Sequence, residues 1–174
     1  MNRKVLVPLA TVLVAGSIAV GSGATFNAET GNTISSVTSG SLKHTNSKAG
    51  KAIFDLTNMK PGDTLNGTLT LTNTGSLPAT FSLTEQSSTN AFSGENLKLK
   101  IVDTTDSKTV YNGTFGGLVD GAKQPLGEWA AGAAHSFTFT VTLDQAATND
   151  EQGKTASAVY AWDSVQLAGT TYEQ

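Results

Sequence analysis

The chain has 174 residues, with 11 Lys and Arg against 14 Asp and Glu, two His and no Cys. That length suits one domain plus an N-terminal segment, with enough core to fold without staples. The missing Cys excludes disulfides and thiolate metal sites, and the lack of any basic run or basic-aromatic interleaving argues against nucleic acid as a partner.

Arg3-Lys4, the apolar run from Val5 to Val20 and the small residues after it have the order of a secretory signal peptide. The run is shorter than the ~20 apolar residues of a membrane span, and no basic stop-transfer cluster follows. Residues 1–28 are therefore predicted to form a cleavable helical signal peptide that meets the membrane only transiently. Ser22-Gly23-Ala24 satisfies the small-x-small rule, and Ala28 offers a second cut. Removing residues 1–28 takes away Arg3 and Lys4 but no acid, leaving 9 basic against 14 acidic residues.

Residues 29–50 are rich in Ser, Thr, Gly and Asn, with Ile34, Val37 and Leu42 as the sizeable hydrophobes. Ile34, Ser36, Thr38, Gly40 and Leu42 share one parity, and Val37 falls on the other. Such a segment is β-capable but poorly specified in register. It reads either as a leader into the domain or as a strand that adds to another subunit's sheet.

The domain, residues 51–174, is organised around Phe54 to Leu83. Lys60-Pro61-Gly62-Asp63 is turn chemistry, because Pro61 presets φ and Gly62 supplies the positive φ of a type II turn. Leu65, Leu69 and Leu71 then fall on one face of a strand, with Asn66, Thr68, Thr70 and Thr72 on the other. Asn73-Thr74-Gly75-Ser76 breaks the run, and Phe81 and Leu83 resume it. Glu85 to Glu95 reads as a polar loop, and Leu97, Leu99 and Ile101 mark the next strand. Asn112-Gly113, between β-formers, predicts a hairpin turn. Trp129 closes a short apolar piece. Phe137, Phe139, Val141 and Leu143 alternate with Ser136, Thr138, Thr140 and Thr142 in the cleanest strand, and the last strand runs from about Ala156 to Leu167. Many short strands without a helical period after residue 28 predict an all-β fold, an antiparallel two-sheet β-sandwich of jelly-roll type. Leu69, Leu71, Phe81, Phe137, Phe139 and Val141 are its predicted core.

A β-segment, then Asn58-Met59-Lys60-Pro61-Gly62-Asp63, an alternating strand and Asn73-Thr74-Gly75-Ser76-Leu77-Pro78-Ala79 resembles the TasA/camelysin (CalY) family of secreted bacterial proteins. Residues 21–28 are similar to that family's signal-peptide end, and Ser39-Gly40-Ser41-Leu42 sits where the family has its first mature strand. The resemblance implies a structural protein of extracellular biofilm-matrix fibres, matured by a signal peptidase of SipW type. Its partner would then be itself, head to tail. Signal-peptide removal would free Glu29 to about His44, with Ile34, Val37 and Leu42 as candidate polymerisation residues, to add as a strand to the next subunit. A monomeric adhesin module would share the fold and the export signal.

Some members of the resembled family carry a metallopeptidase label, but zinc hydrolysis usually needs about three His or carboxylate ligands and an open position. The two histidines, His44 and His135, have no His-Glu-x-x-His spacing, and no Gly-x-Ser-x-Gly elbow exists. Asp103, Asp106, Asp144, Asp150 and Glu151 lack calcium-loop spacing and read as solvated loop carboxylates. The sequence therefore predicts no catalytic residue, no metal site and no cofactor.

Overall fold

The computed structural model describes residues 27–29, 35–37, 40–53 and 59–168, of which 27–29, 35–37 and 40 are described by backbone alone. The expected signal-peptide helix, with Ala24, lies outside these residues, as does Ile34. Four short strands come first: β1 (Asn27–Glu29), β2 (Ser35–Val37), β3 (Gly40–Leu42) and β4 (His44–Asn46). Seven longer ones follow: β5 (Thr64–Asn73), β6 (Ala79–Asn90), β7 (Leu97–Asp103), β8 (Lys108–Thr114), β9 (Lys123–Trp129), β10 (Ala134–Leu143) and β11 (Ala156–Gln166). They form two antiparallel sheets, ordered β1-β11-β6-β9 and β4-β5-β10-β7-β8, with β2 and β3 as a separate hairpin. The all-β, two-sheet expectation holds.

Strand alternation builds the core. Leu69 and Leu71 of β5, Leu99 and Ile101 of β7, and Phe137, Phe139 and Val141 of β10 point from one sheet onto Phe81 and Leu83 of β6 and Trp162 of β11. All six predicted core residues are buried. The turn before β5 forms as its chemistry requires, with Gly62 at φ 89 and the Asp63 amide donating to the Lys60 carbonyl. That turn docks on the end of β10, where the Gly62 amide donates to the Leu143 carbonyl at 2.9 Å.

Two expectations are corrected. Asn112-Gly113 does not turn; it lies inside β8, paired with Lys100 and Leu99 of β7. The chain reverses earlier, at Thr104–Ser107, because the Asp103 Oδ1 accepts the amides of Thr105 and Asp106 and Ser107 adopts φ 56. Local capping at that turn outweighs the Asn-Gly signal. The supposed polar loop from Glu85 is strand as far as Asn90, since β11 continues beside it. A bulge between Val159 and Tyr160 re-aims the pairing there, and Thr89 and Ser157 hydroxyls meet at 2.8 Å across the strands.

Candidate functional site

The sandwich is open along one side. Of the outer edge of β11, β1 pairs only with Asp163, Ser164 and Val165; among the described residues no strand pairs with that edge from Ala156 to Trp162. On the facing sheet β4 is equally short, pairing with Leu71 to Asn73 of β5, and Ser47 just after it bonds the Thr70 carbonyl and amide. Between these bare edges lies a cleft of about 1060 Å³ that reaches into the core. Leu65, Val141 and Leu143 form one wall, and Ala156, Ala158, Tyr160 and Trp162 the other. The cleft exists partly because β11 places two Ala side chains, rather than large ones, at inward positions. Gly67 contributes at the mouth: a Cβ there would stand 2.5 Å from the Ile53 carbonyl oxygen, so only Gly lets that crossing segment lie so close.

The middle of β6 and β11 carries unusual polar chemistry. Glu85 continues the inward series Ala79, Phe81, Leu83 and is fully buried, directly opposite Tyr160. Neither Glu85 oxygen, nor the Tyr160 hydroxyl, makes a well-formed hydrogen bond among the described residues. Burial raises the Glu85 pKa; the nearby Ser88 and Tyr160 hydroxyls oppose this, and Asp120 adds to it. The Tyr160 hydroxyl is pushed up strongly, first by burial and then by Glu85, and Tyr111 is raised by the same two causes. A carboxyl whose folded pKa is raised stabilises the fold fully below its unfolded value, near 4.5, and loses that contribution as pH rises through the folded value. Glu85→Gln is therefore expected to flatten the fall in stability above that pH and to gain about 1–3 kcal/mol at pH 8. Urea midpoints of parent and variant at pH 5 and pH 8 check this; parallel pH profiles would refute it.

The histidines are not solvent-exposed turn residues. His135 is buried at the start of β10, its ring stacked on Trp129 at 4.0 Å, and its Nδ1 lies 2.7 Å from Asp103 Oδ2 and 3.7 Å from Asp106 Oδ2. His44 is half-buried, with Nδ1 2.9 Å from the Ser164 hydroxyl, and burial lowers its pKa against the pull of Asp163. Phe81 and Trp129 stand between the two rings, so they do not share a ligand site. Two of the carboxylates read as solvated are buried as well. Asp103 caps its turn from an inward position, and Glu151 accepts from the Ser93 amide, the Asn96 side chain and Lys154. Burial works against the Glu151 charge, but these donors hold its pKa down to about 2.

Among the sequence-predicted residues, Ala28 sits in β1 opposite Ser164, and Val37 pairs with Gly40 in the β2-β3 hairpin. Leu42 is buried in its own chain's core at 2% exposure.

These features define the chain as an all-β sandwich with one incomplete side. It belongs to the camelysin family: the family model described as Camelysin metallo-endopeptidase matches residues 1–97, more than half of the chain. This is the TasA/camelysin family that the turn motifs resemble. Comparison with curated proteins finds no match. The strands beyond residue 97 complete the same two sheets, with β10 at the centre of one and β11 beside β6 in the other.

The family description implies a metal. Asp103, Asp106 and His135 bring one donor atom each within 4.8 Å of one another, and an imidazole with two carboxylates fits a divalent ion. These three would hold it, and such an ion with an open position supplies Lewis-acid polarisation of a carbonyl. None of the three lines the cleft, so this cluster and the cleft are separate places. Extending the parity of each strand by one step identifies both buried members of this cluster: Asp103 follows Leu97, Leu99 and Ile101, and His135 precedes Phe137 and Phe139.

Proposed function

We propose that this chain is a secreted structural protein that assembles into extracellular matrix fibres by strand addition, not an enzyme. The observation that carries the proposal is the bare edge of β11 beside an apolar cleft, since unpaired N–H and C=O groups take up an extended peptide whose alternate side chains fill the groove. The seven residues from Ala156 to Trp162 offer room for a donor of about 23 Å. The order of the two sheets supports reading the sandwich as a jelly roll.

The donor is the mature N-terminal segment of the next subunit, with Ile34 and Val37, which fall on opposite faces of an extended strand, as the two candidates for the side chain that enters the cleft. Leu42 would have to leave its own core to join them, so it serves better as the anchor that ends the donor. Export by a signal peptidase of SipW type prepares the acceptor as well as the donor. A cut after Ala28 removes two of the three residues of β1 and bares the β11 edge as far as Val165. The resulting contact is head to tail and does not close, so it propagates a filament. The metallopeptidase alternative lacks support from the cleft, whose one described buried carboxylate, Glu151, is already bound to Ser93, Asn96 and Lys154.

Removing residues 29–39, which leaves Leu42 in place, is expected to yield a folded protein that stays monomeric by size exclusion. Electron microscopy of the variant beside the full mature chain, at matched concentration, should show filaments only for the latter. Filaments of unchanged width from the shortened chain would refute strand donation.

A further inference from the structure

Two inward positions at one end of the β10-containing sheet carry ionisable side chains instead of hydrophobes. Asp103 ends the buried series of β7, and His135 begins that of β10. Asp106 reaches the same spot from the Thr104–Ser107 turn, its side chain 58% exposed. Two carboxylates thus converge on one imidazole, and among the described residues no Lys or Arg pairs with either of them.

The ligands are already held in place. Trp129 lies flat against the His135 ring, 4.0 Å away and within 4° of parallel. The second oxygen of Asp103 accepts the Thr105 amide at 3.0 Å, which fixes the carboxylate and leaves Oδ2 facing the histidine. A tetrahedral ion with bonds of about 2.1 Å places its ligand atoms about 3.4 Å apart. The distances from His135 Nδ1 to the two carboxylates, 2.7 and 3.7 Å, bracket that value. Coordination therefore needs His135 Nδ1 and Asp103 Oδ2 to open by about 0.7 Å and the exposed Asp106 to close by about 0.3 Å.

We propose that Asp103, Asp106 and His135 bind a divalent first-row transition ion of the zinc type, as a structural clamp. One imidazole and two carboxylates suit such an ion, and water completes its shell on the Asp106 side. Bound there, it ties the β7-β8 turn to the first residues of β10. The clamp is independent of strand addition, because it lies outside the cleft that would receive a donor.

Zinc titrated into the metal-stripped protein, followed by calorimetry and by thermal unfolding, tests this. The expected result is one ion per chain and a rise in the unfolding midpoint of about 10 °C when zinc exceeds its Kd about a hundredfold, reversed by chelator. Asp106→Asn changes only an exposed side chain, so its metal-free midpoint should match the parent while its zinc affinity falls at least about tenfold. His135→Gln should lose the midpoint rise as well. No binding at about 1 mM zinc, a range in which even weak sites fill, would overturn the proposal. So would binding left unchanged by both substitutions, which would put the ion elsewhere, for example at His44.

Discussion

Phe139→Ala is expected to lower the stability of the domain by about 3–5 kcal/mol, a large share of the 5–15 kcal/mol that holds a typical domain together. Phe139 is fully buried in β10, the central strand of its sheet, with Gly67 of β5 on one side and Ile101 of β7 on the other. Its ring reaches across the sandwich to Tyr160 at 5.3 Å and to Trp162 at 6.3 Å. The opposite neighbour, Gly67, has no side chain to move into the space, and the adjacent cleft already lacks filling atoms. The hole would therefore stay open, which places the expected cost at the upper end. Chemical denaturation of the variant checks it; a midpoint equal to the parent's would mean that Phe139 does not hold the two sheets together.

Asn73→Asp is expected to be at least as damaging, although it changes the shape of the side chain hardly at all. Asn73 ends β5 at 0% exposure, and its Nδ2 donates to the carbonyls of Leu77, Trp129 and Ala130 at 2.9, 3.2 and 3.1 Å. Its Oδ1 accepts the Gly75 amide at 3.1 Å. One amide thus pins the β5-β6 turn to the end of β9. A carboxylate there has no proton to give, so three carbonyl oxygens would face a buried negative charge. Breaking a buried polar arrangement in this way costs about 3–5 kcal/mol, and protonating the new carboxyl restores only one donor. Circular dichroism at pH 7 should show a largely unfolded or sharply destabilised protein, with partial recovery toward pH 4. A variant as stable as the parent at pH 7 would contradict this account of the turn.

How far the sequence foretold this molecule depended on how regular each stretch is. β5 and β10 alternate without a break, so their inward residues were readable before any coordinate. β9 was not, because Pro125 interrupts its pattern; among the described residues it is an edge strand paired only with β6, where a missing amide is tolerated. The far half of β6 looked like loop because Glu85, Ser87 and Ser88 carry no hydrophobic signal, and a bulge in its partner supplied the register instead. The Asn112-Gly113 signal failed for the converse reason, a strong local preference overruled by a better-capped turn four residues upstream of β8. The candidate site was legible only in part. The N-terminal segment showed its β character, but a missing strand is a property of pairing, which composition does not carry. Asp103 and His135 were hidden by their residue types: Asp and His suggest solvent, and only the parity of their neighbours places them inside.

The central claim, that the N-terminal segment of one subunit enters the cleft of another, is tested most directly by cross-linking, since the chain contains no Cys of its own. Val37→Cys or Ile34→Cys, each combined with Ala158→Cys on the cleft wall, would be assembled, oxidised and run on a denaturing gel. The account predicts a ladder of covalent dimers, trimers and longer species from at least one pair, absent when the donor Cys or the acceptor Cys is present alone. Fibres that assemble from both double variants yet give only single-chain bands would contradict it.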